Sequence, residues 1–492
     1  MLRIDNQMKF SEYTNLYDVV VPKDNILRRI KENIDFSFVN EMLKKSYCIN
    51  FGRPAKEPEM MFKILFLKRM YDLSDASLIE NIGYNMSYKC FLNIDPEDKT
   101  VDSSLLTKFR KTRITEDILE DMLTETIKQA IEKGLIKSTA IIVDATHSES
   151  KTYAKTPTQI LRSATKELRK QIYKNDIELA DKFPEKPLDT ADLNQEIEYS
   201  KKLVENLKEQ LIKTDNEKTR KLFNKVNELL ENDKIKEIQS AVDEDAKMGY
   251  KSETNNFFGY KSHIAMTEER LITGIEVTSG EAPDGKYLNK LVNKSKNNGI
   301  NITEVLGDMA YSGKENLKLM KEQNIKVLSK LSPYIMNGNR TKNKDFEFIK
   351  DACMYKCPAG HLSIKKTING TYNKSNKNKY NTKSLTYFFD IEKCKNCHKK
   401  EGCYNGSKSK TFSIALNEEI TTEQKEFQES DYFRERIKQR YMIEAKNAEM
   451  KQAHGLHKCK YVGLFGMQNQ IYFTAFVVNV KRMIKLIDKK VS

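Results

Sequence analysis

The chain has 492 residues, of which 39% are hydrophobic and 32% charged, and its formal net charge is +15. This balance predicts a soluble globular protein of two to four domains with many charged helices. No stretch approaches the roughly 18 uninterrupted apolar residues of a membrane span, and the N-terminal MLRIDNQMKF lacks the apolar region of a secretion signal. Eight cysteines without such a signal indicate a reducing compartment rather than a disulfide framework.

The positive charge is concentrated toward the C-terminus. Residues 356–410 carry 13 Lys against 3 acids, and residues 431–492 carry 13 Lys or Arg against 5 acids. Such patches favour binding to a polyanion, because cations that neutralise phosphates release counterions. An AT-rich coding bias would also raise the Lys content, but it would not cluster the charge. The clustering therefore favours a nucleic-acid partner.

The first 125 residues predict a helical domain for DNA binding or dimerisation. Apolar positions at helical spacing predict a helix over 56–73, and Ser74 is a candidate N-cap for the following DASLIENIGYN. A third helix is predicted near 102–113. A helix-turn-helix for DNA binding and a packing or dimerisation domain are both compatible with this pattern.

The rest of the chain predicts a mixed α/β core that is interrupted twice. The predicted parts of the core are 126–157, 248–335 and 411–492, the last of which includes a long charged helix over 421–453. A Lys/Glu-rich helical insertion is expected over 158–247, and a Cys/Lys-rich insertion over 336–410. Short apolar runs rich in β-branched residues predict strands at 138–146, 257–266, 271–279, 302–308, 325–331 and 411–418.

Three acidic residues stand in well-formed contexts within this core. Asp144 and Asp308 are expected at the carboxyl ends of strands, where open α/β sheets bind ligands. Glu444 is expected on a basic helix with Arg440 four residues before it and Lys451 seven after, all on one face. Three carboxylates can hold two Mg²⁺ ions against phosphodiester oxygens. The alternatives are a strand-end cap for Asp144 and a solvated salt-bridge ladder for Glu444.

Five of the eight cysteines fall in the Cys/Lys-rich insertion. Cys357, Cys394, Cys397 and Cys403 resemble a structural zinc site, because one CxxC pair with two further cysteines in a reducing cell is typical of such sites. Cys353, His361 and His398 are alternative ligands. Free thiols in a packed subdomain are the competing interpretation.

Two histidines, His147 and His263, are expected near the carboxylates. Each could assist proton transfer, contact a phosphate or serve a structural role. Lys261 joins His147, Arg440 and Lys451 as a candidate DNA contact.

The order and spacing of these motifs resemble the DDE transposases of bacterial insertion sequences. The similarity is to the branch with an N-terminal helical domain and a cysteine-bearing insertion. It covers nearly the whole chain and rests on FGRPAKEPEMMFKILFLKRMYDLSDASLIENI, VDATH, DEDAKM, FGYKSH, GDMAYSG and RYMIEAKNAEMKQAHG.

The resemblance implies an RNase H-like catalytic core and Mg²⁺-dependent DNA cleavage and strand transfer, with Mn²⁺ as a substitute ion. It also implies double-stranded DNA as the partner, a homodimer on that DNA, and action in the bacterial cytoplasm at the nucleoid. The chain departs from the family pattern at Ile437, where a Tyr is usual, and at Pro283-Asp284 after the third strand. An RNase H-like nuclease and a catalytically silent DNA-binding derivative are the alternative functions.

Overall fold

The computed structural model describes residues 13, 15–48, 54–188, 190–212, 216–231, 235–251, 254–332, 346–349, 352–369, 384–415 and 419–491. These residues form two compact units. Unit 1 is Met1–Asn301 with Tyr441–Ser492, and unit 2 is Ile302–Arg440. Both units combine helices with strands, so the fold is mixed α/β, as predicted. None of the described helices is long and apolar enough to cross a membrane.

Unit 1 begins with eight helices whose ends follow local capping signals. The Ser74 hydroxyl accepts the backbone N–H of Ser77 at 3.0 Å, and the Asp102 carboxylate accepts that of Ser104 at 2.8 Å. Both caps confirm helix starts expected from the sequence. The helices are α1 Leu16–Val20, α2 Ile26–Asn33, α3 Phe38–Leu43, α4 Pro58–Met70, α5 Asp75–Tyr84, α6 Met86–Leu92, α7 Ser103–Thr112 and α8 Glu116–Glu132.

Four strands form the sheet of unit 1. They are β1 Ala140–Glu149, β2 Lys247–Tyr250, β3 Asn256–Thr267 and β4 Ile272–Ser279. The long central strand β3 pairs antiparallel with each of the other three. In the β1–β3 register Asp144 lies opposite Ile264 and Glu149 opposite Gly259.

The first strand differs from its prediction in where it ends. The sequence predicted that it would stop just after Asp144, but it continues to Glu149. The polar residues Thr146 and Ser148 are buried rather than in a turn, and the Ser148 hydroxyl donates to the Leu456 carbonyl at 2.6 Å. Polar residues can extend a buried strand when their side chains are hydrogen-bonded. Asp144 is therefore in the middle of a strand and not at its carboxyl end.

The Lys/Glu-rich insertion folds on a core of its own. Its helices are α9 Pro157–Asn175, α10 Leu193–Ile212 and α11 Glu217–Glu231. A Thr156–Gln159 capping box starts α9. Leu168, Leu203, Leu207 and Val226 form the centre of a buried apolar cluster. The helical insertion expected over 158–247 therefore contains these three α-helices, and we call it the helical arm.

Three more helices complete unit 1: α12 Leu288–Asn297, α17 Tyr441–His454 and α18 Leu464–Val491. The apolar α18 packs on β4, α4 and α8. Its Phe476 ring lies 5.2 Å from Phe62 and 5.6 Å from Phe66 between centroids. Contact with helices and with the sheet explains why α18 is apolar.

Unit 2 contains a parallel strand pair and two small antiparallel sheets. The parallel strands are β5 Glu304–Leu306 and β6 Lys326–Leu328, joined through α13 Lys314–Glu322. The antiparallel strands are β7 Glu347–Ile349 with β8 Met354–Lys356, and β9 Lys365–Asn369, β10 Ser384–Phe389 and β11 Lys410–Ala415 in a sheet centred on β10. The strand predicted at 411–418 is β11.

The predicted helix over 421–453 is not continuous. Unit 2 ends with α14 Ile391–Lys395, α15 Glu419–Glu429, α16 Asp431–Arg436 and the 3₁₀ segment Ile437–Arg440. Ser430 interrupts the run, because its hydroxyl accepts the N–H of Phe433 and starts a new helix. The prediction was wrong on this point, since a Ser among charged residues was not recognised as an N-cap.

Candidate active site

Asp144 and the Glu444 helix meet inside unit 1. The helix α17 packs on β1, and the side-chain amide of Asn447 donates to Asp144 Oδ2 at 2.9 Å. Asp144 is half-buried, while Asn447 is only 9% exposed. The hydrogen bond joins two segments that are 303 residues apart in the chain.

Glu444, Asn447 and Lys451 lie along one face of α17, since helix positions three, four and seven apart share a face. Glu444 is exposed one turn before Asn447, and Lys451 is half-buried one turn after it. Because Asn447 touches Asp144, this face of α17 is the one turned toward the strand carboxylate. One helix–strand contact therefore places the helix that carries Glu444 against the strand that carries Asp144.

Lys451 supplies a positive charge beside this pair. Burial lowers the pKa of its ammonium group, Lys251 lowers it further, and the Asp144 carboxylate opposes both effects. Lys451 is thus within electrostatic range of Asp144, as expected of a cation seven residues after Glu444.

His147 lies three residues after Asp144 on the same strand. Burial lowers its pKa to about 4, and Lys451, Lys251 and Lys261 lower it in the same direction. Its ring packs against that of Phe257, with centroids 4.9 Å apart. The imidazole is therefore neutral near pH 7 and can contact a phosphate only as a hydrogen-bond donor, not as a cation.

The second histidine, His263, lies on β3 and is fully buried. Its Nε2 lies 3.0 Å from Thr278 Oγ1, and its ring stacks on Tyr287 with centroids 4.3 Å apart. Burial lowers its pKa to about 4, against the opposing charge of Asp284. These contacts favour the structural alternative for His263.

Lys261 has partners within the protein. Its Nζ donates to the Ala282 carbonyl and to Asp284, each at 2.9 Å. This ion pair gives a role to Asp284, one of the two positions at which the chain departs from the family pattern. A DNA contact through Lys261 would have to share its ammonium group with this pair.

Asp308, the third carboxylate, lies in unit 2. It follows β5 and caps the 3₁₀ turn Met309–Ser312, with its side chain accepting the N–H of Ala310 at 3.0 Å. The Ser329 hydroxyl donates to its backbone carbonyl and ties the turn to the chain after β6. Asp308 thus lies just beyond the carboxyl end of a parallel strand, as the sequence predicted.

Arg440 and Ile437 lie in the 3₁₀ segment that precedes α17. The helix that carries Glu444 begins only at Tyr441. The sequence predicted that Arg440 and Glu444 share one face of a single α-helix. That prediction is wrong for Arg440, because it lies in the 3₁₀ segment and the α-helix begins after it. Arg440 is half-buried.

The four cysteines expected to bind zinc line one pocket of unit 2, together with His361. We call this the cysteine pocket. The Cys357 Sγ accepts the N–H of His361, and the Cys397 Sγ that of Lys399, each at 3.4 Å. Burial raises the pKa of the Cys394 thiol, and the neighbouring cysteines Cys357, Cys403 and Cys397 raise it further. All four cysteines are free thiols.

Within the part of the chain that the structure describes, no three His, Cys, Asp or Glu side chains are arranged to hold a metal ion. The donor chemistry nevertheless suits a hard cation in unit 1, where Asp144 and Glu444 offer carboxylate oxygens. The buried Oδ1 of Asn447 has no hydrogen-bond partner among the described residues. Packing alone does not explain a polar side chain at this contact, because buried polar atoms are usually hydrogen-bonded.

Asn447 is the site residue that the sequence interpretation missed. The motif EAKNAEMK stands out for its charges, and a neutral side chain three positions after Glu444 gives no electrostatic signal. Its helical spacing from Glu444 and Lys451 could have identified it, since Asn is unfavourable inside helices unless its side chain is used.

Comparisons with known proteins match two segments of the chain to transposase families. Residues 15–112 match the family described as "Transposase domain (DUF772)", and residues 233–480 match "Transposase DDE domain". The chain is also similar to a protein of Rhizobium meliloti named "Uncharacterized protein ORF8 in nfe locus", at 26% identity over 137 residues. That alignment spans 27% of this chain and 66% of the relative.

The second match covers half of the chain and contains Asp308, Glu444 and Lys451. DDE domains act on DNA and generally use divalent metal ions, and the mixed α/β core with its N-terminal helices is the RNase H-like arrangement expected of them. The chain therefore belongs to the DDE transposase family.

Proposed function

We propose that the protein cuts DNA at the inverted-repeat ends of an insertion sequence and joins those ends to target DNA, with Asp144, Asp308 and Glu444 as the metal-holding carboxylates. The observation that carries this proposal is the α17–β1 contact, in which Asn447 bonds to Asp144 one turn from Glu444. Packing alone would not require a carboxylate and a buried amide at one helix–strand contact.

The reaction needs two displacements at phosphorus. In the first, a water oxygen bonds to the phosphorus, the bond to the 3′ oxygen breaks, and that oxygen leaves as a hydroxyl. In the second, the freed 3′ hydroxyl bonds to a target phosphorus and displaces another 3′ oxygen. Bound Mg²⁺, or Mn²⁺ in its place, would supply Lewis acidity and lower the pKa of the attacking water.

The protein's own groups have distinct tasks in this scheme. The carboxylates of Asp144, Glu444 and Asp308 provide oxygen ligands, which Mg²⁺ prefers. Lys451 and Arg440 provide cations for DNA phosphates, and the neutral His147 provides a hydrogen-bond donor. A homodimer on DNA, with the bacterial cytoplasm as the place of action, stays a prediction.

A nuclease would use the same carboxylates but stop after the first displacement. A silent DNA-binding derivative would bind the ends and cut nothing. The matches to two transposase families favour the transposase over the nuclease. The meeting of Asp144 with the Glu444 helix supports a catalytic protein over a silent derivative.

The test is a strand-transfer assay with duplexes bearing the inverted repeats that flank the gene. Wild-type protein with Mg²⁺ should release 3′ hydroxyl ends and join them to a second duplex. Asp308→Asn should bind the same duplex and leave it uncut, whereas the exposed Glu435→Gln, whose carboxylate pairs with Lys438, should behave as wild type. Cut ends that are never joined would indicate the nuclease. Binding without cutting in either Mg²⁺ or Mn²⁺ would indicate the silent derivative.

We also propose that Cys357, Cys394, Cys397 and Cys403 take a structural zinc. The support is that all four line one pocket and that two sulfurs accept backbone N–H groups, as zinc-bound thiolates commonly do in tight loops. The sulfurs do not stand in a ligating arrangement, so zinc would have to draw them together.

A further inference from the structure

Asn447 occupies a position where an amide is costly. It lies in the second turn of α17 and is 9% exposed, and only its Nδ2 has a partner among the described residues. The Oδ1 is buried without one. Asn is a poor helix former, and a buried acceptor without a donor destabilises the fold, because it loses its hydrogen bonds to water and gains none from the protein. A residue that weakens its own helix calls for a reason other than stability.

The orientation of the amide follows from the chemistry of its partner. A carboxylate only accepts hydrogen bonds when ionised, so the NH₂ group and not the carbonyl must face Asp144. The bond at 2.9 Å has the length of a charge-assisted N–H···O contact. It fixes one oxygen of Asp144 against α17 and leaves the other oxygen to other partners.

A neutral donor differs from a cation at this place. Lys or Arg would neutralise the carboxylate and compete with a divalent ion for its charge. The amide orients the carboxylate without adding charge, in the way that hydrogen-bonding groups behind metal ligands orient them in metalloproteins. Lys451, one helical turn after Asn447, is half-buried and supplies the positive charge instead.

We propose that Asn447 is a positioning residue, which holds the Asp144 carboxylate in the orientation that lets it share a divalent cation with the Glu444 helix. This inference rests on the proposed function, since it assumes that Asp144 is a metal-holding carboxylate. It adds a residue whose side chain need not touch either the cation or the DNA.

The sharpest variant is Asn447→Leu, because Leu is close to Asn in size and removes both polar atoms. A structural role predicts a lower melting temperature. A positioning role predicts an unchanged or higher melting temperature, because a buried acceptor without a partner is removed, together with a divalent-cation affinity lowered by about 10–100-fold. Mn²⁺ binding, followed by electron paramagnetic resonance without DNA, measures that affinity independently of activity.

The matched control is Asn469→Leu on α18. Asn469 is 5% exposed, its Oδ1 also lacks a partner among the described residues, and its Nδ2 bonds only within its own helix, to the Phe465 carbonyl at 3.4 Å. This variant should bind Mn²⁺ and cleave DNA as wild type does. Asn447→Ala serves as the second variant, and its cleavage should recover in part at high Mg²⁺.

The outcomes separate the two proposals. If wild type binds Mn²⁺ and cleaves DNA, and Asn447→Leu does both at the same cation concentration, Asn447 has no positioning role while the transposase stands. A drop in melting temperature with unchanged Mn²⁺ affinity would assign Asn447 to structure alone and would also overturn the inference. If wild type neither binds Mn²⁺ nor cuts its ends, both proposals fail together.

Discussion

The Asp144–Glu444 site of unit 1 and the cysteine pocket of unit 2 were both predicted as metal sites, and they are built in different ways. In unit 1 the acidic side chains belong to a strand and a helix far apart in sequence, and the buried Asn447 amide of that helix bonds to Asp144 on the strand. In the cysteine pocket Cys394, Cys397 and Cys403 are close neighbours in the chain, and only Cys357 comes from a more distant segment.

Their surroundings differ as well. The strand that carries Asp144 starts with four fully buried residues, Ala140, Ile141, Ile142 and Val143. Packing therefore fixes the position of the strand before any ion binds. The sheet beside the cysteine pocket has a small buried cluster of Tyr387, Phe389 and Phe412, with Cys357 and Cys394 packed against it. A large core can preorganise an ion site, whereas a small one depends on the ion for its order.

The largest effect is expected from a variant of unit 1 that greatly reduces DNA cleavage without disturbing the fold. Glu444→Gln keeps the shape of an exposed side chain and removes the charge that would hold a divalent ion. Cleavage of the element ends should fall by about 10³-fold, the scale on which losing one preorganised charged group acts. DNA affinity should stay the same or rise slightly, since one negative charge near the phosphates is gone. Gel-based cleavage and fluorescence anisotropy would measure the two effects, and comparable losses in both would contradict the assignment.

A substitution in the cysteine pocket should have the opposite kind of effect. It should reduce the structural order of the surrounding segment rather than act on the chemistry of cleavage. Protein purified without chelator should contain about one zinc per chain, and Cys397→Ser should lose it and make residues 352–369 and 384–415 more accessible to proteases. Cys48→Ser, at an exposed cysteine of unit 1, is the matched control and should keep the zinc. Elemental analysis with limited proteolysis makes the measurement. Wild-type protein without zinc would leave the pocket a packed thiol subdomain.

The contrast also shows what the sequence could and could not predict. The cap at Ser74, the helix near 102–113 and the strands β3 and β4 follow from local patterns, so they were predicted correctly. The end of β1 was missed because Thr146 and Ser148 are buried, and the Ser148 hydroxyl bonds to the Leu456 carbonyl, a partner that only tertiary structure provides. The break at Ser430 was missed because charge periodicity outweighed a single capping residue.

The candidate site was predictable only in part, for the same reason. Asp144, Asp308 and Glu444 stand in recognisable motifs, but nothing in the sequence indicates that Asn447 meets Asp144 across 303 residues. Likewise, Lys261 carries a charge that the sequence suggests is available for DNA, while the structure pairs it with Asp284.

A smaller effect tests whether the cysteine region also carries the DNA surface. Lys366, Lys393 and Lys408 are exposed there, and replacing all three by Gln should reduce the slope of log affinity against log salt by about 0.9 for each phosphate that is no longer neutralised. The weakening should be alike for all DNA sequences, because bonds to phosphates carry no base information. Lys202→Gln with Lys221→Gln in the helical arm is the control, since both cations are exposed and paired with Glu. An unchanged slope in the triple variant would place the DNA elsewhere.

The smallest effect concerns the pH dependence of unit 1, which holds buried neutral histidines. The pKa of His263 is lowered to about 4 by burial, against about 6.5 in an unfolded chain. Between these values the unfolded state binds a proton that the folded state does not, so its contribution is fully present above about pH 6.5 and is lost as the pH falls toward 4. The loss should reach on the order of 3 kcal/mol at pH 4. Urea unfolding at several pH values would show it, and His263→Gln should flatten that slope whatever its effect on stability at pH 7. An equally steep slope in the variant would mean that His263 is not the titrating group, and His147, whose pKa is also lowered to about 4, would be the next group to replace.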